Sequence, residues 1–220
     1  MMIEVSQIRK SYGKKEVLKD ISFQAKSGEC VAIIGSNGSG KSTLLQILAG
    51  VMKADSGEVR YFSQLAGNDR TIYQKFCGYV PQENPLIEEL TVKDNLRLWN
   101  GRKAVYREDF LKQFQLQDLL KTPVEKLSGG MKRRLSIACA FQNHPPILLL
   151  DEPTTALDLY YKGEIQKWLS KFRQLNGIVV MTTHDESEIM SADRCLLMKD
   201  GMLRELDKET LSINTIKGIL

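Results

Sequence analysis

Eight consecutive residues, Gly35-Ser36-Asn37-Gly38-Ser39-Gly40-Lys41-Ser42, constrain this chain more than any other stretch. They fit the pattern G-x-x-x-x-G-K-[ST] at every position, which dictates a strand, a tight glycine-rich turn and then a helix. The flanks comply: Cys30-Val31-Ala32-Ile33-Ile34 is a short apolar run suited to a buried strand, and Thr43-Leu44-Leu45-Gln46-Ile47-Leu48 reads as the helix that follows. In that geometry the glycines turn main-chain N–H groups inward around phosphate oxygens. Lys41 brings positive charge to the outer phosphates, and Ser42 offers a hydroxyl to Mg²⁺. The helix that begins near Thr43 points its N-terminus at the anion. These residues point to binding of a nucleoside triphosphate.

A second apolar run, Ile147-Leu148-Leu149-Leu150, ends in Asp151-Glu152. Open α/β sheets gather their ligand sites at the C-terminal ends of such strands. There Asp151 would hold Mg²⁺ through water, and Glu152 would orient and deprotonate an attacking water as general base. Two further strand-like runs, Ile178-Val179-Val180-Met181 and Cys195-Leu196-Leu197-Met198, follow a helical stretch around residues 162–173. Short alternating segments at Ile3-Glu4-Val5 and Ile21-Ser22-Phe23, with a turn at Tyr12-Gly13-Lys14-Lys15, predict a β-layer before the glycine loop. Glu58-Val59-Arg60-Tyr61-Phe62 and Gly78-Tyr79-Val80 read as additional strands, the latter ended by Pro81.

Between about residues 91 and 143 the period becomes helical. Thr91-Val92-Lys93-Asp94 has the spacing of a capped start, and Phe110, Leu111, Phe114, Leu116, Leu119 and Leu120 are spaced like one apolar face. Leu127-Ser128-Gly129-Gly130 opens another helix, with Ser128 as N-cap and two glycines leaving N–H groups for a second anion site. The basic run Lys132-Arg133-Arg134 reads as the solvated face of that helix. His144, before Pro145-Pro146, reads as structural.

Composition narrows the class. A net charge of +4 spread along 220 residues argues against a nucleic-acid-coating protein and against strong membrane adsorption. No apolar run approaches the ~18 residues that span a bilayer, and the Met1-Met2-Ile3-Glu4 start lacks a signal-peptide core, so a cytoplasmic chain is expected. Cys30, Cys77, Cys139 and Cys195 form no C-x-x-C pair and read as reduced, mostly buried thiols.

Taken together, the motifs resemble those of the nucleotide-binding subunit of ATP-binding-cassette (ABC) transporters, from about Ile3 to Gly201 and in that family's order. The resemblance implies an α/β P-loop NTPase core with a mainly parallel sheet, an N-terminal antiparallel β-layer and an inserted helical subdomain. It implies one domain over 1–220, with a core lobe at about 1–82 and 145–220 and the helical part at about 83–144. By the same resemblance Tyr12 stacks on adenine, Gln82 links the two lobes and reaches Mg²⁺ or the attacking water, Asp158 belongs to the D-loop, and His184 contacts the γ-phosphate. Ser128, Gly129 and Gly130 would complete the site of a second subunit, so the expected partners are another copy or a homologous ATPase and an integral membrane subunit, with no nucleic acid. ATP and Mg²⁺ are the implied cofactors, and the implied location is the cytoplasmic face of a membrane.

Two departures from the family pattern stand out: Met131 replaces the common glutamine and Thr155 a common serine. Residues 127–135, Leu-Ser-Gly-Gly-Met-Lys-Arg-Arg-Leu, resemble the form found in exporters, which leans the expectation toward export. Importer lineages with a C-terminal regulatory domain would run past residue 220. A soluble ABC ATPase would be expected to carry two cassettes or a coiled-coil insertion, and a non-hydrolysing module to lack Glu152 or His184. Docking of the membrane subunit is expected between Gln82 and about Asn100, on whichever of Leu86, Ile87, Leu90 and Leu96 are exposed; the alternative is that these side chains only pack the helical part.

Overall fold

Three strands are apolar up to or through their last residue, and those strands form the centre of the molecule. The computed structural model describes residues 2–67, 69–100, 108–155 and 157–208. In β3 (Cys30–Ile34), β7 (Ile147–Asp151) and β8 (Ile178–Thr182) every residue is buried. Successive side chains of a strand point to opposite faces, so a strand covered on both sides is apolar along its length, and the buried polar ends Asp151 and Thr182 are hydrogen-bonded to each other. Val31, Ile33, Ile147, Leu149, Ile178 and Val180 join one core, while Ala32, Ile34, Leu148, Leu150, Val179 and Met181 join the other.

These strands lie in a six-stranded sheet of order β10-β9-β3-β8-β7-β6, with β6 at Cys77–Val80, β9 at Arg194–Lys199 and β10 at Met202–Leu206. All neighbours run parallel except β10, which pairs antiparallel with β9. A second sheet, antiparallel and of order β2-β1-β4-β5, is built from β1 (Met2–Tyr12), β2 (Lys15–Lys26), β4 (Ser56–Tyr61) and β5 (Gln64–Leu65). The β-layer foreseen at the N-terminus is therefore a hairpin of two long strands rather than several short ones. Shifts of register after Val5 and Ile8 let β1 bend over the core.

The helix after the glycine loop, α1 (Lys41–Leu48), is packed between the two sheets and buries Leu44, Leu45, Ile47 and Leu48. Full burial of such side chains contributes roughly 1.5–3 kcal/mol each. A short helix, α2 (Arg70–Phe76), precedes β6.

Among the described residues the insertion between β6 and β7 carries α3 (Val92–Asn100), α4 (Glu108–Gln113), 3-10 turns at Gln117–Leu119 and Val124–Lys126, and α5 (Gly129–Phe141). Thr91 and Asp94 exchange hydrogen bonds at the start of α3, as their spacing predicts. The apolar set from Phe110 to Leu120 does not lie on one helix. The helix stops at Gln113, Gln115 takes a left-handed φ of 50°, and a 3-10 turn covers Gln117–Leu119. Leu111, Phe114 and Leu116 still reach the core, because burial selects the side chains and not the helical period. Beyond β7 come α6 (Leu159–Gln174) and α7 (Glu186–Ser191), the latter capped by Asp185, whose side chain accepts from the N–H groups of Ser187 and Glu188. Cys30, Cys139 and Cys195 are buried free thiols, and Cys77 is partly buried.

Candidate functional site

The glycine loop joins β3 to α1, and its shape is enforced by its neighbours. A Cβ on Gly35 would fall 2.2 Å from the Met198 carbonyl oxygen, and one on Gly40 would fall 2.9 Å from the Leu18 side chain. Both have positive φ, 147° and 109°, so glycine is required there on steric and on conformational grounds. Ser36, Asn37 and Gly38 form the exposed crown of the loop. Lys41 is buried at the first turn of α1, and its Nζ donates to the carbonyls of Gly35 (2.6 Å) and Ser36 (3.1 Å). Burial lowers its pKa, and the Glu152 and Asp151 carboxylates oppose that shift. Ser42 and Thr43 follow on α1, half-buried. The Ser39 hydroxyl is buried without a hydrogen-bond partner.

The strand ends opposite the loop bring three segments together. Asp151, the last residue of β7, accepts from the Thr182 hydroxyl at 2.5 Å, and that hydroxyl also accepts from the Glu152 N–H at 3.1 Å. Glu152 sits at a left-handed φ of 48°. Its Oε2 accepts from the Thr155 hydroxyl (2.9 Å) and from Gln82 Nε2 (3.4 Å). Its Oε1 lies 3.4 Å from His184 Nε2, outside hydrogen-bonding geometry, so Nε2 is buried without a partner. Burial lowers the His184 pKa, the Lys41 cation lowers it further, and Glu152 opposes both. The imidazole is therefore neutral at pH 7. The turn that carries it is tied down on its far side: Asp185 N–H donates to the Thr183 hydroxyl at 2.9 Å, and Lys162 Nζ lies 2.6 Å from Asp185 Oδ2.

Lys41, Asp151, Glu152, Gln82 and His184 thus converge. Other expected site residues stand apart. Tyr12 is 49% exposed at the end of β1, with its hydroxyl donating to Met52 Sδ at 3.1 Å beyond the end of α1. Ser128 caps α5, its hydroxyl accepting from Met131 N–H at 3.3 Å, and Gly129 and Gly130 form the first turn. Asp158 is exposed and caps α6 through the Tyr161 N–H at 3.0 Å. Gly130 lies against α6, where a Cβ would fall 3.2 Å from the Tyr161 ring. Among the described residues no hydrogen bond joins these two helix starts to the glycine loop.

The basic run on α5 is not solvated, contrary to its expected role. Arg133 and Arg134 are buried, and Lys132 pairs with Glu88 at 2.5 Å. Arg134 donates to Gln115 Oε1 at 2.7 Å and lies 4.6 Å over the Tyr161 ring. Arg133 donates only to main-chain carbonyls, those of Pro81, Gln82, Asp151, Glu152 and Pro153. Thr182 and Thr155, which hold the two carboxylates, belong to no motif that names them as site residues. Only the departure at Thr155 hinted at either.

The expected docking surface needs one correction. Leu96 is fully buried in the core and offers no anchor. Leu86 and Leu90 are partly buried, while Ile87 (44%), Leu98 (57%) and Trp99 (43%) are exposed. Asn95, buried on α3, holds Ile87 in place by accepting from its N–H and donating to its carbonyl, both at 2.9 Å.

Among the described residues no helix is long and apolar enough to cross a membrane, and no three His, Cys, Asp or Glu side chains cluster as a metal centre. Mg²⁺ in nucleotide sites is usually held by one or two carboxylates together with substrate phosphates, so such a cluster is not required.

Residues 18–155 match the sequence family described as ABC transporter. The chain is 36% identical to the sulfate/thiosulfate import ATP-binding protein CysA of Escherichia coli (strain K12), over 94% of this chain and 60% of that protein, so it spans less than two thirds of that relative's length. It is also 36% identical to the lipoprotein-releasing system ATP-binding protein LolD of Porphyromonas gingivalis, over 92% of this chain and 99% of that protein. A solved dimeric ATP-binding cassette, in a post-hydrolysis state bound to ADP and Pi, superposes with a TM-score of 0.85 at 31% identity, covering 95% of this chain and all of the other. The chain belongs to the ABC transporter family, as an ATP-binding subunit.

Proposed function

We propose that the chain hydrolyses ATP with Mg²⁺ and drives a separate integral membrane subunit from the cytoplasmic face of the membrane. The observation that carries this reading is the convergence of Gln82, Thr155 and His184 on the Glu152 carboxylate, beside Lys41. The loop residues Gly35, Ser36, Asn37, Gly38, Ser39 and Gly40 cradle the phosphates with main-chain N–H groups, and Lys41 and Thr43 flank them at the helix start. The buried, unpartnered Ser39 hydroxyl fits such an anion. Mg²⁺, held by Ser42, Asp151 and Gln82, would neutralise charge on the phosphates. Glu152 accepts the proton of the attacking water while Gln82 and Thr155 fix its carboxylate. His184, neutral and in its Nε2-protonated tautomer, donates to a γ-phosphate oxygen as charge grows there. Tyr12 stacks on the base.

Ser128, Gly129, Gly130 and Asp158 act on the nucleotide of a second subunit, a copy or a homologue, in a two-fold arrangement. Their separation from the glycine loop supports this, as does the dimeric state of the solved relative. Export is the favoured direction on the form of residues 127–135; the similar proteins include both an importer subunit and a subunit of a releasing system. The whole chain is proposed to act as one domain of two lobes.

Mixing two defective chains tests the arrangement. Ser128→Arg blocks the composite site without touching Lys41, and Lys41→Ala spoils the loop. A heterodimer of the two concentrates both lesions in one site, so hydrolysis should return in the other. Demonstrated heterodimers without any recovery would reject the shared site.

A further inference from the structure

Arg133 lies on α5, one turn after the Ser128 cap, and is 4% exposed. Burial pulls its pKa down to about 10, so it remains charged at neutral pH. Every hydrogen bond it makes goes to a main-chain carbonyl. Nη2 donates to Asp151 O (2.6 Å) and Glu152 O (2.8 Å), Nη1 to Pro81 O (2.5 Å) and Gln82 O (3.4 Å), and Nε to Pro153 O (2.9 Å).

The choice of acceptors is informative. The carbonyls of residues 151 and 152 belong to the two peptide groups that flank the Glu152 Cα, and those of 81 and 82 flank the Gln82 Cα. Fixing both flanking peptides sets a residue's φ and ψ, and hence the direction of its side chain. Glu152 needs such fixing, because a left-handed φ in a residue with a side chain persists only where the surroundings over-determine it. One planar guanidinium with five N–H donors can hold both residues at once, while an ammonium, a single point, cannot span them.

We propose that Arg133 is a positioning residue that sets Gln82 and Glu152 in register with each other and ties that register to the helix bearing Ser128, Gly129 and Gly130. Tilting of α5 thereby reaches the Glu152 backbone directly, without passing through the nucleotide. This rests on the reading of Glu152 as general base.

The test compares steady-state phosphate release and fluorescent-nucleotide binding for wild type, Arg133→Lys, Arg133→Gln, Glu152→Gln and Arg133→Lys combined with Glu152→Gln, with circular dichroism to verify folding. Arg133→Lys and Arg133→Gln should lower kcat by up to about 10²-fold, the scale of a misplacement near 1 Å, with nucleotide affinity unchanged. In the Glu152→Gln background Arg133→Lys should add no further loss, because the group it positions is already gone. Full turnover in the Arg133 variants beside a defective Glu152→Gln overturns this proposal alone. So does a multiplicative loss in the double variant, or unfolding of both Arg133 variants, which would make the residue structural. Wild-type turnover in Glu152→Gln overturns the base reading and this proposal with it.

Discussion

Replacing Thr182 by valine keeps the shape of a buried strand residue and deletes one hydroxyl. That hydroxyl donates to Asp151 Oδ1 at 2.5 Å and accepts from Glu152 N–H at 3.1 Å, so it serves both strand-end carboxylate residues. The Glu152 N–H keeps a second acceptor, the Thr182 carbonyl, also at 3.1 Å, and loses little. Asp151 is 2% exposed, so bulk solvent does not readily replace the lost donor. A hydrogen bond to a charged group contributes about 1.5–3 kcal/mol, and valine's better fit to a strand returns at most a few tenths. Thr182→Val should therefore destabilise the fold by about 1.5–3 kcal/mol, lowering Tm by roughly 3–12 °C at 2–4 °C per kcal/mol for a chain of this size. Thr182→Ser keeps the hydroxyl and loses one methyl, at a cost of about 1 kcal/mol. Urea unfolding followed by circular dichroism, together with thermal scans, measures both. A Thr182→Val protein within about 0.5 kcal/mol of wild type, the range of neutral surface changes, would refute the reasoning. So would equal losses in the two variants.

Tyr12→Ala should weaken ATP binding by about 1–3 kcal/mol and Tyr12→Trp should be tolerated, since stacking needs a flat surface and not a hydroxyl. Nucleotide titration decides, and equal losses in both variants would remove Tyr12 from the site. Ile87→Glu and Leu98→Glu alter exposed side chains just before and on α3, so they should abolish co-purification of the membrane subunit while leaving the free subunit's ATP turnover unchanged. Unchanged recovery of the membrane subunit would exclude this surface.

Much of the site was legible because its residues act locally. The glycine loop, the apolar strands before it and before Asp151, and the Ser128 cap each declare themselves within a few positions, and each lies where its pattern predicts. Arg133 reads from sequence as part of a solvated face because its partners lie far off in sequence and are main-chain atoms, which no pattern of residue types records. Gln115, left-handed, ends α4 where the Gln115 and Leu116 N–H groups turn back to the Lys112 and Leu111 carbonyls, a stop that apolar spacing alone does not record. Leu96 reads from sequence as a candidate anchor but is buried, because an apolar residue on a helix does not say which face is covered. The segment 101–107 between α3 and α4 falls outside the described residues.

The most direct measurement is phosphate release by Glu152→Gln beside wild type, with nucleotide binding and dimer content followed on the same preparations. Turnover should fall by ~10²–10⁴, the usual contribution of a general base, while Mg-ATP still binds and a nucleotide-trapped dimer accumulates in size-exclusion chromatography. Turnover close to wild type, with only monomer in Mg-ATP, would contradict both the role of Glu152 and the ATP-driven pairing of subunits.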